Sequence, residues 1–337
     1  MKNKYTSIMG LCLIVVMALG GCKAEPPADI LKKSFEKTVK IESARQSFTA
    51  NLHMDLSGAS EQEMQALSLM RDVVLKSDTA FLSAGAESAG DFSIHSDGIT
   101  YEGKVFMRDG KSIMKLPAMD KYVVFDSQGY NKKDIDDMKQ LSLQLSTLML
   151  EIAGEDAITV ENNVSTESPQ GSFRGKRISF SMSDSELKDF VKKAAFLILE
   201  NDSFKENMKE SIRIQMQMQG EVYSEAEADK KLKEFQDEIE TGVGQLYKVV
   251  QFDGLSVDYV IDKDYNIRSS KMKLKMRVDD PQTSRYVDMT LDIDSNLWDI
   301  GKKAKLDIPD ITSENSVDWS EMSGFMPAGA EAQVPQE

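Results

Sequence analysis

Cysteine is nearly absent. The 337 residues contain two, Cys12 and Cys22, both near the start. The chain beyond residue 22 can make no disulfide and offers no free thiol, so its body must fold on an apolar core alone. Histidine is as scarce, with His53 and His95 alone. Without a Cys cluster or a closely spaced His pair, no zinc centre is expected. No Gly-x-Ser-x-Gly elbow and no phosphate-cradling Gly-rich loop is present. The expectation is therefore of a non-enzymatic protein with no catalytic residues, no cofactor and no metal. Basic residues are in deficit, 41 Lys and Arg against 56 Asp and Glu, for a net charge of −15. That opposes binding to nucleic acid and to anionic lipid surfaces, and suits a body held near a membrane by an anchor. Aromatics are only 7% of the chain, whereas Met is frequent, with 20. A Met-rich interior is soft and adapts to irregular contacts.

What the N-terminus does contain is specific. Lys2 and Lys4 are followed by an apolar run, Ile8 to Leu19, broken only by Gly10 and Cys12. The run is too short for a permanent transmembrane helix and has the order of a secretory signal. It ends in Leu19-Gly20-Gly21-Cys22, the form of a lipobox. Small residues let a peptidase reach the backbone, and the Cys22 thiol accepts a diacylglyceryl group. The plainer alternative is an ordinary secretory signal that contains a Cys. Each acyl methylene buried contributes about 0.8 kcal/mol, so two or three chains would hold the protein on the membrane essentially permanently. The expected layout is a lipoprotein signal peptide over 1–21, the lipidated Cys and a short tether over 22–27, one domain over 28–312, and a mostly disordered acidic tail over 313–337 in which Trp319 and Phe325 dock. The protein would be lipid-anchored on the extracytoplasmic face of the cell membrane.

Along the body, helices are expected at 28–43, 61–70 and 131–153, and three more across 183–248. The last three each open with Ser and carry Glu three residues on: Ser183/Glu186, Ser203/Glu206 and Ser224/Glu227. That is the capping-box spacing. Strict alternation marks strands. Phe48, Ala50, Leu52, Met54 and Leu56 point one way and Ser47, Thr49, Asn51, His53 and Asp55 the other. Weaker strands are expected near 72–83 and 90–95. Others follow at 99–108, 112–116, 122–125, 157–165 and 173–182, and a closing meander spans 255–262, 267–278 and 285–295. In that meander a turn at Pro281–Thr283 would set Lys275 opposite Asp288, Lys271 opposite Asp292, and Leu274 opposite Met289. The preceding hairpin would set Asp258 opposite Lys271. Asp262-Lys263-Asp264-Tyr265-Asn266 begins like a calcium loop, but Ile267 and Lys273 stand where such a loop needs Gly and Glu, so a hairpin turn is expected. Met216-Gln217-Met218 is read as ordinary helix surface or core, not as a copper site.

Many half-wet strands with several amphipathic helices make a one-sided sheet covered by helices, an α+β fold. Phe48, Leu52, Met54, Tyr101, Val105, Ile178, Phe180, Leu274, Met276, Met289 and Leu291 would line the covered side, around either a hydrophobic cavity or a filled core. The order of lipobox, tether, first helix, antiparallel strands, late helices and closing meander (Tyr259-Val260-Ile261-Asp262-Lys263, then alternating Met and Lys) resembles the LolA/LprG/LppX-like lipoproteins of bacterial envelopes, over roughly 28–312. The resemblance implies a strongly curved antiparallel sheet, a half-barrel, with helices on its concave face and, in characterised members, acyl chains held between them. Two readings follow: an anchored protein that binds or carries a lipid or other hydrophobic molecule, or a surface interaction or sensing protein with a solid core and a protein partner.

Overall fold

The computed structural model describes residues 25–83, 86–126, 132–169, 171–218, 223–280 and 285–319. Leu19, Gly20, Gly21 and Cys22, Phe325, and the Pro281–Thr283 turn lie outside them.

Twelve strands form one sheet. They are β1 Ala44–Asp55, β2 Asp72–Leu82, β3 Glu87–Ser96, β4 Ile99–Arg108, β5 Lys111–Lys115, β6 Tyr122–Asp126, β7 Thr159–Ser168, β8 Gly171–Met182, β9 Val250–Ile261, β10 Ile267–Asp279, β11 Tyr286–Trp298 and β12 Ser316–Asp318. The order across the sheet is β12-β6-β5-β4-β3-β2-β1-β11-β10-β9-β8-β7. Two meanders, β1–β6 and β7–β11, are therefore sewn together where β1 pairs with β11. Each pair is antiparallel except β12 with β6. The sheet is large, open and curled, not a closed barrel, and the fold class is the α+β one that the alternation implied. β7, at its edge, comes round to touch β11.

The helices are α1 Pro27–Thr38, α2 Glu61–Leu67, α3 Lys132–Ala153, α4 Asp184–Glu200, α5 Asp202–Met218 and α6 Glu225–Val249. α1 stops earlier than expected, at Thr38. The β-branched Val39 and Ile41 lie beyond it, where the chain turns into β1. α2 has a full capping box that the sequence reading missed: Ser60 Oγ accepts from Glu63 N–H at 3.1 Å, and the Glu63 carboxylate accepts from Ser60 N–H at 2.6 Å. Ser183/Glu186 and Ser224/Glu227 cap α4 and α6 at the expected places. The third expected box is corrected. α5 is capped by Asn201, whose side-chain oxygen accepts from Phe204 N–H at 2.9 Å. Ser203 falls inside the first turn, is buried, and donates to Asp137 of α3. Asn caps as well as Ser, and the extended Asn201 is where the chain leaves α4.

One buried cluster joins α1 (Leu31, Phe35), α3 (Leu150, Ala153) and α4 (Leu187) to β8 (Ile178, Phe180, Met182) and β9 (Val250, Phe252, Leu255, Val257, Ile261). Tyr259 is held in it edge-on to Phe35, at 5.5 Å between ring centroids, and burial pushes its hydroxyl up to about 12. α5 and α6 share a separate small core of Ile212, Met216, Ala228 and Leu232, which places Met216 in packing. A third cluster lies on the opposite sheet face. There Phe106 and Ile113 pack against Ile308, with Leu306 and Ile311, from the segment after β11. The 304–308 alternation was a legible signal for this strap.

The β10–β11 register differs from the expected one by two residues. Lys271 faces Asp294, Lys273 faces Asp292, Arg277 faces Asp288, and Leu274 faces Leu291. The connection, closed by Asp280 N–H to Arg285 C=O, is wider than the tight turn supposed. A two-residue shift leaves every side chain on its face, so the pattern alone could not choose between the two registers. The β9–β10 pairing, Asp258 with Lys271, is as expected. The tail expected from residue 313 begins with order: β12 pairs with β6, and Trp319 stacks on Phe125 at 4.9 Å. Residues 320–337 lie outside the described residues.

Candidate hydrophobic-ligand site

Registers place all eleven expected lining residues on one face of the sheet. Phe180 on β8 meets Val257 on β9, which meets Met272 on β10; Leu274 and Met276 lie next along that strand. Leu274 and Met276 pair with Leu291 and Met289 on β11, and those with Leu52 and Met54 on β1. The same face continues through Val73 and Leu75 of β2 and Ile94 of β3 to Tyr101 and Val105 of β4. This is the face on which α1, α3 and α4 pack.

Among the described residues the cover is partial, and this is the main geometric fact of the site. The helices meet the sheet chiefly at β8, β9 and β10. Ile178 and Phe180 beneath them are buried, at 0% and 3% exposure. Met272, Leu274, Met276 and Val278 of β10 form the edge of that core. Beyond it Met289, Leu291, Phe48, Leu52 and Val105 are only half-buried, and Tyr101 is 58% exposed. Met54 is buried at the end of β1, beside the connection to β2. From Ser270–Val278 of β10 across to β5, no Asp, Glu, Lys or Arg stands on this face. Its two ends differ. Near α2 the exposed apolar side chains gather: Met64, Met70, Ile94, Ile99 and Tyr101. Toward the opposite end stand Gln46, Ser77, Thr79, Ser88, Ser270 and Ser295, with Gln46 Nε2 donating to Ser295 Oγ at 3.0 Å. The result is a charge-free trough, with exposed apolar side chains at one end and, at the other, hydroxyls and an amide set among Phe81, Phe92, Met107 and Leu297.

On β10 and β11 the charges stand on the other face. Lys271 lies 3.2 Å from Asp294, and Lys273 3.2 Å from Asp292. Arg277 makes a two-pronged pair with Asp288 at 2.8 and 3.0 Å and covers the Tyr286 ring at 4.1 Å. The Asp288 hydrogen bonds raise the Arg277 guanidinium's proton affinity further. A cleft of about 750 Å³ also lies on this side, between Arg45, Asp78, Asp91, Lys104 and Phe106 of the sheet and Lys302–Asp307 of the strap. A smaller apolar hollow of about 170 Å³ sits between α4 and α6, lined by Phe196, Leu199, Ile239, Val243 and Tyr247. None of the eleven expected residues lines either. Sequence periodicity could not have found these two, because each is made by an element crossing another from far along the chain.

The remaining motifs resolve locally. The Asp262 carboxylate accepts from Asp264 N–H, Asn266 N–H and Asn266 Nδ2 at 2.9 to 3.0 Å, which makes the acidic stretch a hairpin turn organised around its own donors. His53 Nδ1 lies 2.5 Å from Asp72, and His95 Nδ1 2.9 Å from Thr100 Oγ1. Among the described residues, no cluster of three or more His, Cys, Asp or Glu is placed to hold a metal. No described helix is long and apolar enough to cross a membrane.

No family model and no curated protein matches this chain. Among solved structures it is similar to a DUF1329 family protein from Desulfovibrio piger, at 10% identity over 83% of this chain and 96% of that one, with a TM-score of 0.22. It is also similar to the tesB protein of Mycobacterium avium subs paratuberculosis, at 8% identity over 80% and 84% of the two chains, with a TM-score of 0.10. Neither superposes closely enough to bear on function, and the functional reading below rests on this chain's own geometry.

Proposed function

We propose that this is a non-enzymatic, lipid-anchored extracytoplasmic lipoprotein whose half-covered trough holds a lipid or another hydrophobic molecule. The observation that carries the reading is the mismatch between pattern and cover: an uncharged, largely apolar face spans β10 to β5, while the helices pack chiefly on β8 to β10. Apolar surface left half-exposed next to a filled core favours an apolar occupant, at about 25 cal/mol for each Å² removed from water. An acyl chain fits such a face without unsatisfied groups, whereas an unpaired charge buried there would be strongly disfavoured. The Leu19-Gly20-Gly21-Cys22 sequence supports the anchor, with Cys22 as the lipidated residue. The test is mass spectrometry of organic extracts of residues 23–337 purified from a bacterial host, beside a mock purification. A stoichiometric lipid is expected; a folded but empty body, also after incubation with membrane lipid extract, would sink the cargo reading.

A second reading, a surface interaction protein with a solid core, draws on the filled cluster under α1, α3 and α4. It requires an empty trough and a protein partner captured by crosslinking on the intact chain.

A further inference from the structure

Glu25 is fixed at both oxygens. Its carboxylate accepts the Tyr265 hydroxyl at 2.8 Å and pairs with Lys33. Lys33, followed by Tyr265, holds its carboxyl below the usual range. Lys33 Nζ also lies over the Tyr265 ring, 5.4 Å from its centroid. One turn later Lys37 donates to the Asp264 carbonyl. Asp264 and Tyr265 belong to the turn between β9 and β10. Glu25, just ahead of α1, and the Lys33 and Lys37 face of α1 are thus fastened to one end of the sheet.

Cys22 precedes Glu25 by three residues. Three residues reach at most ~11 Å, at roughly 3.6 Å each. An anchor on Cys22 would therefore keep Glu25 within ~11 Å of the lipidated residue, and the β9–β10 turn that Glu25 contacts beside the headgroup region. We propose that this end of the sheet is the membrane-facing rim, lying on the lipid headgroups, and that the exposed apolar end of the trough opens away from the bilayer. The inference rests on the anchor reading above.

The rim is continuous. Gly301 N–H donates to Ser43 C=O at 2.8 Å, and Arg268 Nε to Leu297 C=O at 2.9 Å, which ties the turn after β11 to the segment after α1 and to β10. Lys33, Lys37, Lys40, Lys263, Arg268, Lys302 and Lys303 stand along it against Glu25, Glu42, Asp262, Asp264 and Asp299, with Lys33, Arg268 and Lys302 in ion pairs with Glu25, Asp262 and Asp299. A cationic excess at one end of a chain of net charge −15 fits anionic headgroups there and repulsion elsewhere. The trough's hydroxyl-lined end lies on the rim side, since Gln46 and Ser295 sit near the β1–β11 ends at Arg45 and Trp298. Its apolar end lies with α2 and the β3–β4 turn. The 12 residues of β1 separate the two ends by roughly 40 Å.

The test uses the full chain in its lipidated form. It is reconstituted in phosphatidylglycerol and phosphatidylethanolamine vesicles containing headgroup spin-labelled lipid. A fluorophore is placed on Lys263→Cys or on Glu61→Cys; with Cys12 removed and Cys22 blocked by lipid, each variant has one reactive thiol. Quenching at 263 is expected to exceed that at 61 at least threefold. Equal quenching, or stronger quenching at 61, overturns the inference. In the Tyr265→Phe, Lys33→Ala background the contrast should shrink toward equality; an unchanged contrast would remove the Glu25 contacts as its cause. An N-terminal mass without diacylglyceryl would overturn the anchor and this inference together, whereas a lipidated protein with inverted quenching overturns the orientation alone.

Discussion

Leu274 on β10 stands directly opposite Leu291 on β11, yet only Leu274 packs against the helix-covered core. The border between filled interior and open trough runs between these two side chains. The same chemistry therefore has different consequences on its two sides.

A charge placed on the open side should empty the trough without unfolding the protein. Leu291→Lys is expected to lower copurifying lipid at least fivefold while changing stability by about 1 kcal/mol. Phe180→Ala, beneath the helices, should instead destabilise by about 3–5 kcal/mol. Lipid mass spectrometry and urea midpoints on the same preparations separate the two effects. Full loading of Leu291→Lys would count against the trough as the site.

The charged ladder on the opposite face should show its register in double-mutant cycles. Lys273 with Asp292, and Lys271 with Asp294, are exposed pairs, so coupling of roughly 0.2–1 kcal/mol is expected for each. Lys271 with Asp292, a diagonal pair two residues out of register, should couple more weakly than either. Coupling in that pair and not in the others would mean that the strands are displaced.

Helix starts make a sharp comparison. Asn201→Ala should cost about 1 kcal/mol and Asn201→Gly only a few tenths, because Gly tolerates the cap position. Replacing Glu206 should leave the start of α5 unaffected, since Asn201 and not Ser203 is the cap. Thermal melts of the three variants decide it.

Acid should weaken the fold by a definite route. Hydrogen bonds from Ser183 lower the Glu186 carboxyl, those from Ser60 lower Glu63, and the Phe252 N–H lowers Asp184. Each folded-state value lies below the unfolded one of ~4. Their contribution is fully present above pH ~4 and is lost as pH falls through the folded values. Urea midpoints should thus be flat from pH 7 to about 5 and drop below about 4. In Glu63→Gln, Glu186→Gln the drop should be shallower; an identical slope would exclude these caps as the cause.

The strap should be separately removable. Ile308→Ala is expected to cost about 2–5 kcal/mol, with Phe106 and Ile113 newly exposed and the segment after β11 becoming protease-sensitive. A strap that still resists cleavage would place its stability elsewhere.

Parity was legible in the sequence because it is local. Successive side chains in a strand point to opposite faces, so Phe48, Leu52 and Met54 had to share a side, as did Lys271, Lys273 and Arg277. That geometry put each strand's lining residues on a common side, and the registers then brought all eleven to one face. The sequence also carried Ser183 and Ser224 as helix starts and Asp262 as a turn, since each bonds within four residues. What local geometry leaves open, tertiary contacts decided. A shift of two residues conserves every face, so the β10–β11 register depended on the width of the connection. The strap over Phe106 depended on Ile308, some two hundred residues away in the chain. Among the described residues the trough is open because the helices pack chiefly on β8 to β10. The extent of a cover is set by helix lengths and by packing among distant elements, which no period along a single strand encodes.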